Sequence, residues 1–515
     1  MRRFIKIVFG RMSLVAIAII AQLLFSTTLP FFLNYFYPET FGDIYVIIDL
    51  IVTFVGFVMI VAIINSKMIV EGKLIWVIIF LMFPLFGLVI YRMFVWKKAP
   101  LRNRRYFNQV KYKVQMLNKK SVVENSEMKE KLGKYYGQFE YIYQATNLKI
   151  YQNTKVDFLS TGEKFYDELL ENLKKARNYI FMEYFIIERG VMWNEILNIL
   201  KQKVQEGVDV RVMYDDLGTI YKLPYNYHKK LKNFGIKCVK FNSFIPIMSA
   251  SHNNRDHRKI TVIDGKVGFV SGINIADEYI NVVQPYGYWK DTGVKIQGEA
   301  IKSLLLMFLQ LYDVQSKTDE DFYKYIQDVK PIKSHGFVCP YGDGPRYFAE
   351  DYVAENVYLN MINQAEKYIW ITTPYLIIDS KLTTALCLAA KRGVDVRIIT
   401  PGIPDKKLIF MLTRLSYKTL QEAGVKIYEY QKGFIHSKQL ISDDDIAIVG
   451  SINLDYRSLL HHFECGVLMS GVDCIKDIKK DFDSVFAVSK NMKDYKVGRF
   501  KRLVCAVLKA FTPML

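Results

Sequence analysis

Long apolar runs and short polar gaps alternate over the first hundred residues. Residues 14–33 are apolar but interrupted by Pro30, residues 44–64 are apolar apart from Asp49, and residues 74–96 are apolar apart from Arg92. About 20 apolar residues cross a bilayer as a helix, so the second and third runs are predicted to span. The proline leaves the first open, which gives two or three spans within a membrane region over 1–96. Beyond residue 150 the pattern changes. Amphipathic helices are predicted over 165–177 and 352–367, each followed by a β-rich run. A further helix then leads to a strand reading GVDVR, another helix and a strand reading GIK or GVK. That rhythm predicts α/β units, each a mostly parallel sheet flanked by helices.

The rhythm occurs twice. ARNYIFMEYFII at 176–187 resembles AEKYIWITTPYLII at 365–378, and GVDVRV at 207–212 returns as GVDVRI 186 positions later. GIKCV at 235–239 returns 189 positions later, whereas His257 and His436 are 179 apart, as are Asn274 and Asn453. An ordered series of this kind marks a duplicated unit. The falling offset places about ten extra residues in the first copy, around 243–255. Two copies are expected to pack as a pseudo-twofold pair, bringing equivalent residues together.

Each copy carries H-x-K-x-x-x-x-D. The first is His257, Lys259 and Asp264, followed by Asn274; the second is His436, Lys438 and Asp443, followed by Asn453. On a strand, side chains two apart share a face. An imidazole beside an ammonium suits an oxyanion, most obviously phosphate: Lys neutralises the non-bridging oxygens, Asn adds an amide donor, and His attacks or moves a proton. Asp264 and Asp443 fall on the opposite face if the strand continues, as structural parts of the motif. One H-x-K would mean little, but two with matched spacing among seven histidines carry the argument.

Charge changes the picture only at the front of the chain. Of the net charge of +19, residues 1–120 supply +12, from 16 Lys/Arg against 4 Asp/Glu. Arg2, Arg3, Lys6 and Arg11 place the N-terminus on the cytoplasmic side, and so do the charges from Arg92 to Lys120 for the far end, which three full crossings cannot both satisfy. The segment 97–144 is expected to be a basic linker beside anionic headgroups, where nucleic acid is a weaker partner than lipid. Six cysteines lie far apart with no CxxC pair, and no His/Cys/Asp cluster has ligand spacing in sequence, so neither a disulfide scaffold nor a metal is expected. His461 and His462, being adjacent, would point oppositely on a strand. At 496–515 an amphipathic helix is predicted, with Val497, Phe500, Leu503, Val504, Val507, Leu508 and Phe511 on one face, for the membrane interface or for the catalytic domain.

With both motifs in view, the chain resembles the phospholipase D superfamily over about 145–490, and within it the bacterial cardiolipin synthases. FPLFGLVIY at 83–91, NIADEY at 274–279, WKDT at 289–292, NLDYRS at 453–458 and the terminal PML carry the closer likeness. The chain departs from that pattern at Ser271-Gly272, at Gly293 and at His462, where the family usually has Asn. The resemblance implies one active site shared by both motifs, within halves at 145–330 and 331–495. It implies His257 as nucleophile, forming a phosphohistidine, and His436 as acid and base. Lys259, Lys438, Asn274 and Asn453 would bind the phosphate, and Asp291 and Glu464 would orient the imidazoles. The activity implied is phosphatidyl transfer between two phosphatidylglycerols, giving cardiolipin and glycerol, without cofactor or metal. A multi-pass cell-membrane protein with its catalytic part in the cytoplasm is expected, and a homo-oligomer stays open. The alternatives are a phospholipase D using water, a membrane-tethered phosphodiesterase or nuclease, and a non-catalytic lipid-binding scaffold.

Overall fold

Apolar runs without charge form helices first, and the N-terminal part of the protein shows where such a run stops. The computed structural model describes residues 29–36, 41–95, 101–119, 126–243 and 253–493, apart from 328, 347 and 350, with the single residues 495, 498, 508 and 512. Two units result, one holding the N-terminal helices together with Leu508 and Thr512, and a larger one holding the residues described from 101 to 498. The helix predicted at 496–515 lies essentially outside the described residues.

In the N-terminal unit, α1 (Leu29–Phe36) precedes α2 (Phe41–Ile64). Within α2, Val46–Ile64 is the one stretch among the described residues that is long and apolar enough to cross a membrane. The third apolar run differs from expectation. It breaks into α3 (Val70–Met82) and α4 (Pro84–Phe94), with Phe83 between them at φ −145° and ψ 69°. Proline has no N–H to donate and clashes with the preceding turn, so the helix stops before Pro84, which then serves as the first residue of the next.

The larger unit contains two mixed sheets. Strands of the first half are β1 (Thr154–Leu159), β2 (Tyr179–Tyr184), β3 (Asp209–Asp215), β4 (Lys237–Phe241), β5 (Lys259–Ile263), β6 (Val267–Ser271), β7 (Tyr288–Lys290) and β8 (Gly293–Gly298). The second half supplies β9 (Phe337–Asp343), β10 (Tyr368–Thr372), β11 (Leu376–Ile377), β12 (Asp395–Pro401), β13 (Lys426–Tyr430) and β14 (Gly433–Ile435). It continues with β15 (Gln439–Ser442), β16 (Ile446–Gly450), β17 (Leu454–Asp455), β18 (Glu464–Ser470) and β19 (Ser489–Asn491). The orders are β1-β8-β6-β5-β2-β3-β4 and β19-β13-β12-β10-β15-β16-β18-β9.

The expectation of mostly parallel sheets is corrected. Only β2-β3-β4 and β10-β12-β13 run parallel; all other neighbours in the two sheets are antiparallel. The cause is local. After the helical crossovers the chain returns on β5 or β15 and reverses at once through a tight turn. At those turns Asp264 and Gly265, and Asp443 and Asp444, all have positive φ, the backbone of a type I′ hairpin.

The stretch expected as a basic linker holds a helix, α5 (Leu101–Lys119), whose Phe107, Val110 and Val114 are buried in the main core. That core draws on both halves, including Phe181, Phe308, Val338, Phe463 and Val467. Burying side chains of this size contributes about 1.5–3 kcal/mol each, so α5 is part of the catalytic unit's packing.

Candidate active site

Two cross-connections between the halves build the site. Residues just before β5 bridge the segment leading into β18: His257 N donates to Phe463 O (2.8 Å) and Phe463 N to Arg255 O (2.8 Å). Its counterpart is the parallel pair β14-β7, after which His436 N donates to Lys290 O (2.7 Å). Each histidine strand is thus stitched to the carboxylate-bearing segment of the other half. Gly433 permits the second contact, since a Cβ there would overlap the Tyr288 backbone.

The carboxylates are exchanged accordingly. His257 Nδ1 lies 2.8 and 3.0 Å from the two oxygens of Glu464, and His436 Nδ1 lies 2.6 Å from Asp291 Oδ2. Both acids are fully buried. A carboxylate at Nδ1 holds the proton there and leaves the Nε2 lone pair for chemistry. Ser458 Oγ (2.7 Å) and Ser451 Oγ donate to Glu464, fixing its plane. Thr292 N donates to Asp291 (2.8 Å), and a Cβ on Gly272 would overlap the Asp291 carboxylate.

Lys259 and Lys438 share the imidazole face, as period-two alternation requires. Lys259 Nζ donates to His257 O (2.6 Å), and Lys438 Nζ to His436 O while lying 2.8 Å from His436 Nδ1. The intervening residues point the other way: Arg258 is buried, donating to Glu464 O (3.2 Å) and Met307 O (3.1 Å), and Ser437 Oγ donates to Thr372 Oγ1 (3.0 Å).

Dry surroundings set the charge state. Burial and the two lysines hold His257 well below its ordinary value, and burial and Lys438 bring His436 down to about 4 despite Asp291. Burial also lowers Lys259 to about 8 and Lys438 to about 7. Burial alone would raise Asp291, but Lys438 and His436 outweigh it and keep the carboxyl below its usual range. Without an anion the site is a set of cations resisting their own charge; an incoming phosphate would relieve that.

The sequence-predicted asparagines differ in state. Asn274 Oδ1 accepts from Ile186 N (3.0 Å) and its amide donates to Tyr279 OH (2.6 Å), whereas buried Asn453 Oδ1 has no hydrogen-bond partner among the described residues. Asp264 and Asp443 lie elsewhere. Asp264 accepts from the amides of Arg177, Asn178 and Tyr179 (2.7–2.8 Å), and Asp443 from those of Glu366, Lys367 and Tyr368 (2.8–3.0 Å). They clamp the hairpin turn to the start of the neighbouring strand, β2 or β10, a structural task.

Sequence reasoning missed the roles of four side chains. Tyr279 closes on His436, ring centroids 5.4 Å apart, and holds Asn274; NIADEY contained it but gave it no role. Ser451 and Ser458 had no signal, because their partner Glu464 was not yet tied to His257. His462 follows a short helix rather than sitting on a strand, and its ring centroid is 5.5 Å from that of His257. Its Nδ1 is buried without a hydrogen bond among the described residues, 3.7 Å from Glu464 Oε1. His257, His462 and Glu464 therefore bring ligand-type atoms within 4.8 Å, a cluster that sequence spacing concealed. Its carboxylate is already committed to His257 and the two serines.

Comparison with known proteins agrees with this geometry. A family model described as "Cardiolipin synthase, PLD-like domain" matches residues 169–292 and again 358–486, one match per half. A Bacillus anthracis protein named cardiolipin synthase 2 is 34% identical over 85% of this chain and 86% of its own. A cardiolipin synthase of Alkalihalophilus pseudofirmus is 34% identical over 79% and 81%, and an uncharacterised Streptococcus mutans protein is 43% identical over 88% and 98%. Among solved structures, a phosphatidylserine synthase of Haemophilus influenzae Rd KW20 shares the fold at 16% identity, with a TM-score of 0.57 over 74% of this chain and all of that one. A paired motif within a duplicated α/β fold, matched over most of their length by these relatives, makes the chain a member of the cardiolipin synthase family of phospholipase D-like proteins.

Proposed function

We propose that the protein is a membrane-bound cardiolipin synthase that transfers a phosphatidyl group between two phosphatidylglycerol molecules. The observation that carries the reading is the crossed pairing of two buried imidazoles with two buried carboxylates around two lysines. His257 Nε2 attacks phosphorus of the first lipid, and the bond from phosphorus to the glycerol headgroup oxygen breaks. His436 gives that oxygen a proton, and glycerol leaves. The phosphatidyl group now rides on His257. A headgroup hydroxyl of the second phosphatidylglycerol then enters, His436 takes its proton, and the oxygen displaces His257 to yield cardiolipin. Lys259, Lys438 and the two asparagines bind the phosphate oxygens, and their charge meets that developing in the transition state.

His436 must start its first step protonated. A phosphodiester anion beside Lys438 offsets the repulsion that holds the empty site down, and Asp291 stabilises the imidazolium. Placement in the cell membrane, with the catalytic unit on the cytoplasmic side, rests on α2 and on the basic charges flanking the apolar runs. The test is mass spectrometry of lipids after incubating detergent-purified protein with phosphatidylglycerol alone. Cardiolipin with free glycerol is expected. Phosphatidic acid instead would make water the acceptor and the protein a phospholipase D.

A further inference from the structure

α3 and α4 are both too short to cross a membrane. At 13 and 11 residues they extend about 20 and 17 Å, against a hydrocarbon core of about 30 Å. Yet their outer faces are apolar and exposed: Leu81 is 70% and Met82 62% accessible, with Leu74, Ile78 and Val89 also turned outward. The two helices run antiparallel. Trp76 meets Tyr91 edge-on with centroids 5.0 Å apart, and a Cβ on Gly87 would lie 3.1 Å from the Phe80 ring. Both contacts pair positions symmetrically about the Phe83–Pro84 break.

The depth of the turn is marked by α2. A Cβ on Gly56 would lie 2.9 Å from the Pro84 side chain, and Gly56 falls at the middle of the spanning stretch Val46–Ile64. At the other end, Lys73 Nζ donates to Ile64 O (2.7 Å), tying the start of α3 to the end of α2. The base of the hairpin thus sits at one end of α2 and its apex halfway along.

Charge gives an independent argument. Lys67 and Lys73 enter the hairpin, and Arg92, Lys97 and Lys98 leave it, whereas residues 74–91 contain no charge. Between the first apolar run and the spanning stretch Val46–Ile64 there is no Lys or Arg, only Glu39 and Asp43. If the first run and α2 cross and the hairpin does not, all 16 Lys/Arg of residues 1–120 fall on one side. The conflict noted above for three crossings disappears.

We infer that residues 70–94 form a re-entrant hairpin that enters the hydrocarbon of a single leaflet, turns at Phe83–Pro84 against Gly56, and leaves on the side it entered. The occupant of its exposed face is acyl chain from that leaflet. Gly87 and Pro84 have distinct tasks here: one lets the helices approach, the other ends α3 at mid-depth. The inference rests on the membrane placement of the proposed function and is independent of its chemistry.

The full-length, unmodified protein in sealed, oriented membrane vesicles provides the test. A membrane-impermeant amine reagent is added from one face at a time, and modified peptides are identified by mass spectrometry. Lys67, Lys73, Lys97 and Lys98 are expected to react from the same face. Reaction of the first pair from one face and the second from the other would make residues 74–96 a full span and overturn the hairpin alone. Release of the protein by carbonate washing would overturn the membrane placement and the hairpin with it. A Met82→Cys variant gives a second measurement: it is expected to resist an impermeant maleimide from both faces, and labelling from the face opposite Lys67 would overturn the inference.

Discussion

Glu464 belongs to the second half of the molecule, yet it hydrogen-bonds the imidazole of His257 in the first at 2.8 Å. Asp291 repays the relation to His436 at 2.6 Å. Each motif histidine takes its carboxylate from the other half, so neither half alone is a complete catalytic unit. The exchange follows from where the backbones are stitched, at Asp256–Phe463 and Ile435–Lys290, one residue from the groups concerned.

Glu464→Gln keeps the shape and removes the charge that holds the Nδ1 proton and balances an imidazolium. Loss of such a partner costs about 10⁴ in turnover in the comparable serine protease triad. We expect a fall of about 10²–10⁴ in kcat with little change in KM. Steady-state cardiolipin formation checks this, and activity within tenfold of the parent would contradict the orienting role.

The two histidines separate when the leaving group no longer needs a proton. With the glycerol headgroup, both His257→Ala and His436→Ala are expected to lose at least about 10³ in rate. With phosphatidyl p-nitrophenol as donor, His436→Ala should still release a stoichiometric burst of p-nitrophenolate, and His257→Ala should not. The reverse pattern would exchange nucleophile and acid.

Much of this was legible in the sequence, and its limits are physical. H-x-K-x-x-x-x-D encodes a strand followed by a turn, so local spacing sufficed to place His257, Lys259 and Asp264 in register. Strand direction was lost because Asp264-Gly265 was read as the end of a motif and not also as a hairpin turn. α5 was hidden by its basic residues, although Phe107, Val110 and Val114 keep the i, i+3, i+7 spacing of a buried face. The pairing of His257 with Glu464 spans 207 positions, and no local pattern carries a contact of that kind.

Asp264 and Asp443 should report on stability before chemistry. Each accepts three backbone amides, and removal takes that acceptor from all three donors, one of them buried. A buried unsatisfied donor costs about 1–3 kcal/mol, some of which water recovers at the turn. Asp264→Ala is expected to lower unfolding stability by about 3 kcal/mol while kcat per folded molecule changes less than threefold. Denaturant titration beside active-site counting would show the split.

The imidazoles should make the empty enzyme acid-sensitive. His436 is held down to about 4 from an ordinary 6.5, so the unfolded chain takes up a proton that the folded site refuses until about pH 4. Stability from this group is full above 6.5 and is lost as pH falls through that window. Asp215 and Asp343, pushed up to about 7 by burial, act in the opposite sense, so the contribution is read as a difference. The advantage of the parent over His436→Asn is expected to shrink between pH 6.5 and 4, on the order of 1–3 kcal/mol. Inorganic phosphate should reduce the loss, because a bound anion favours the charged imidazole. Thermal unfolding across that range, with and without phosphate, measures both; a pH-independent difference would count against the buried neutral state.

Gly272→Ala tests how closely the site is built. Gly272 N donates to Thr292 O (3.1 Å), which lays its Cα beside Asp291, and any Cβ would occupy the carboxylate's place. Asp291 is fully buried and a Cβ on Gly272 would overlap its Oδ1, so relieving the clash is expected to turn its side chain away from His436. The added methyl therefore acts on His436 and not on His257. We expect a fall in kcat of about 10²-fold with the glycerol headgroup, as for a 1 Å misplacement of a catalytic group. With phosphatidyl p-nitrophenol the burst should survive, since Glu464 and His257 are untouched. Equal loss with both donors would mean that the substitution disrupts the whole unit, and circular dichroism would then show it.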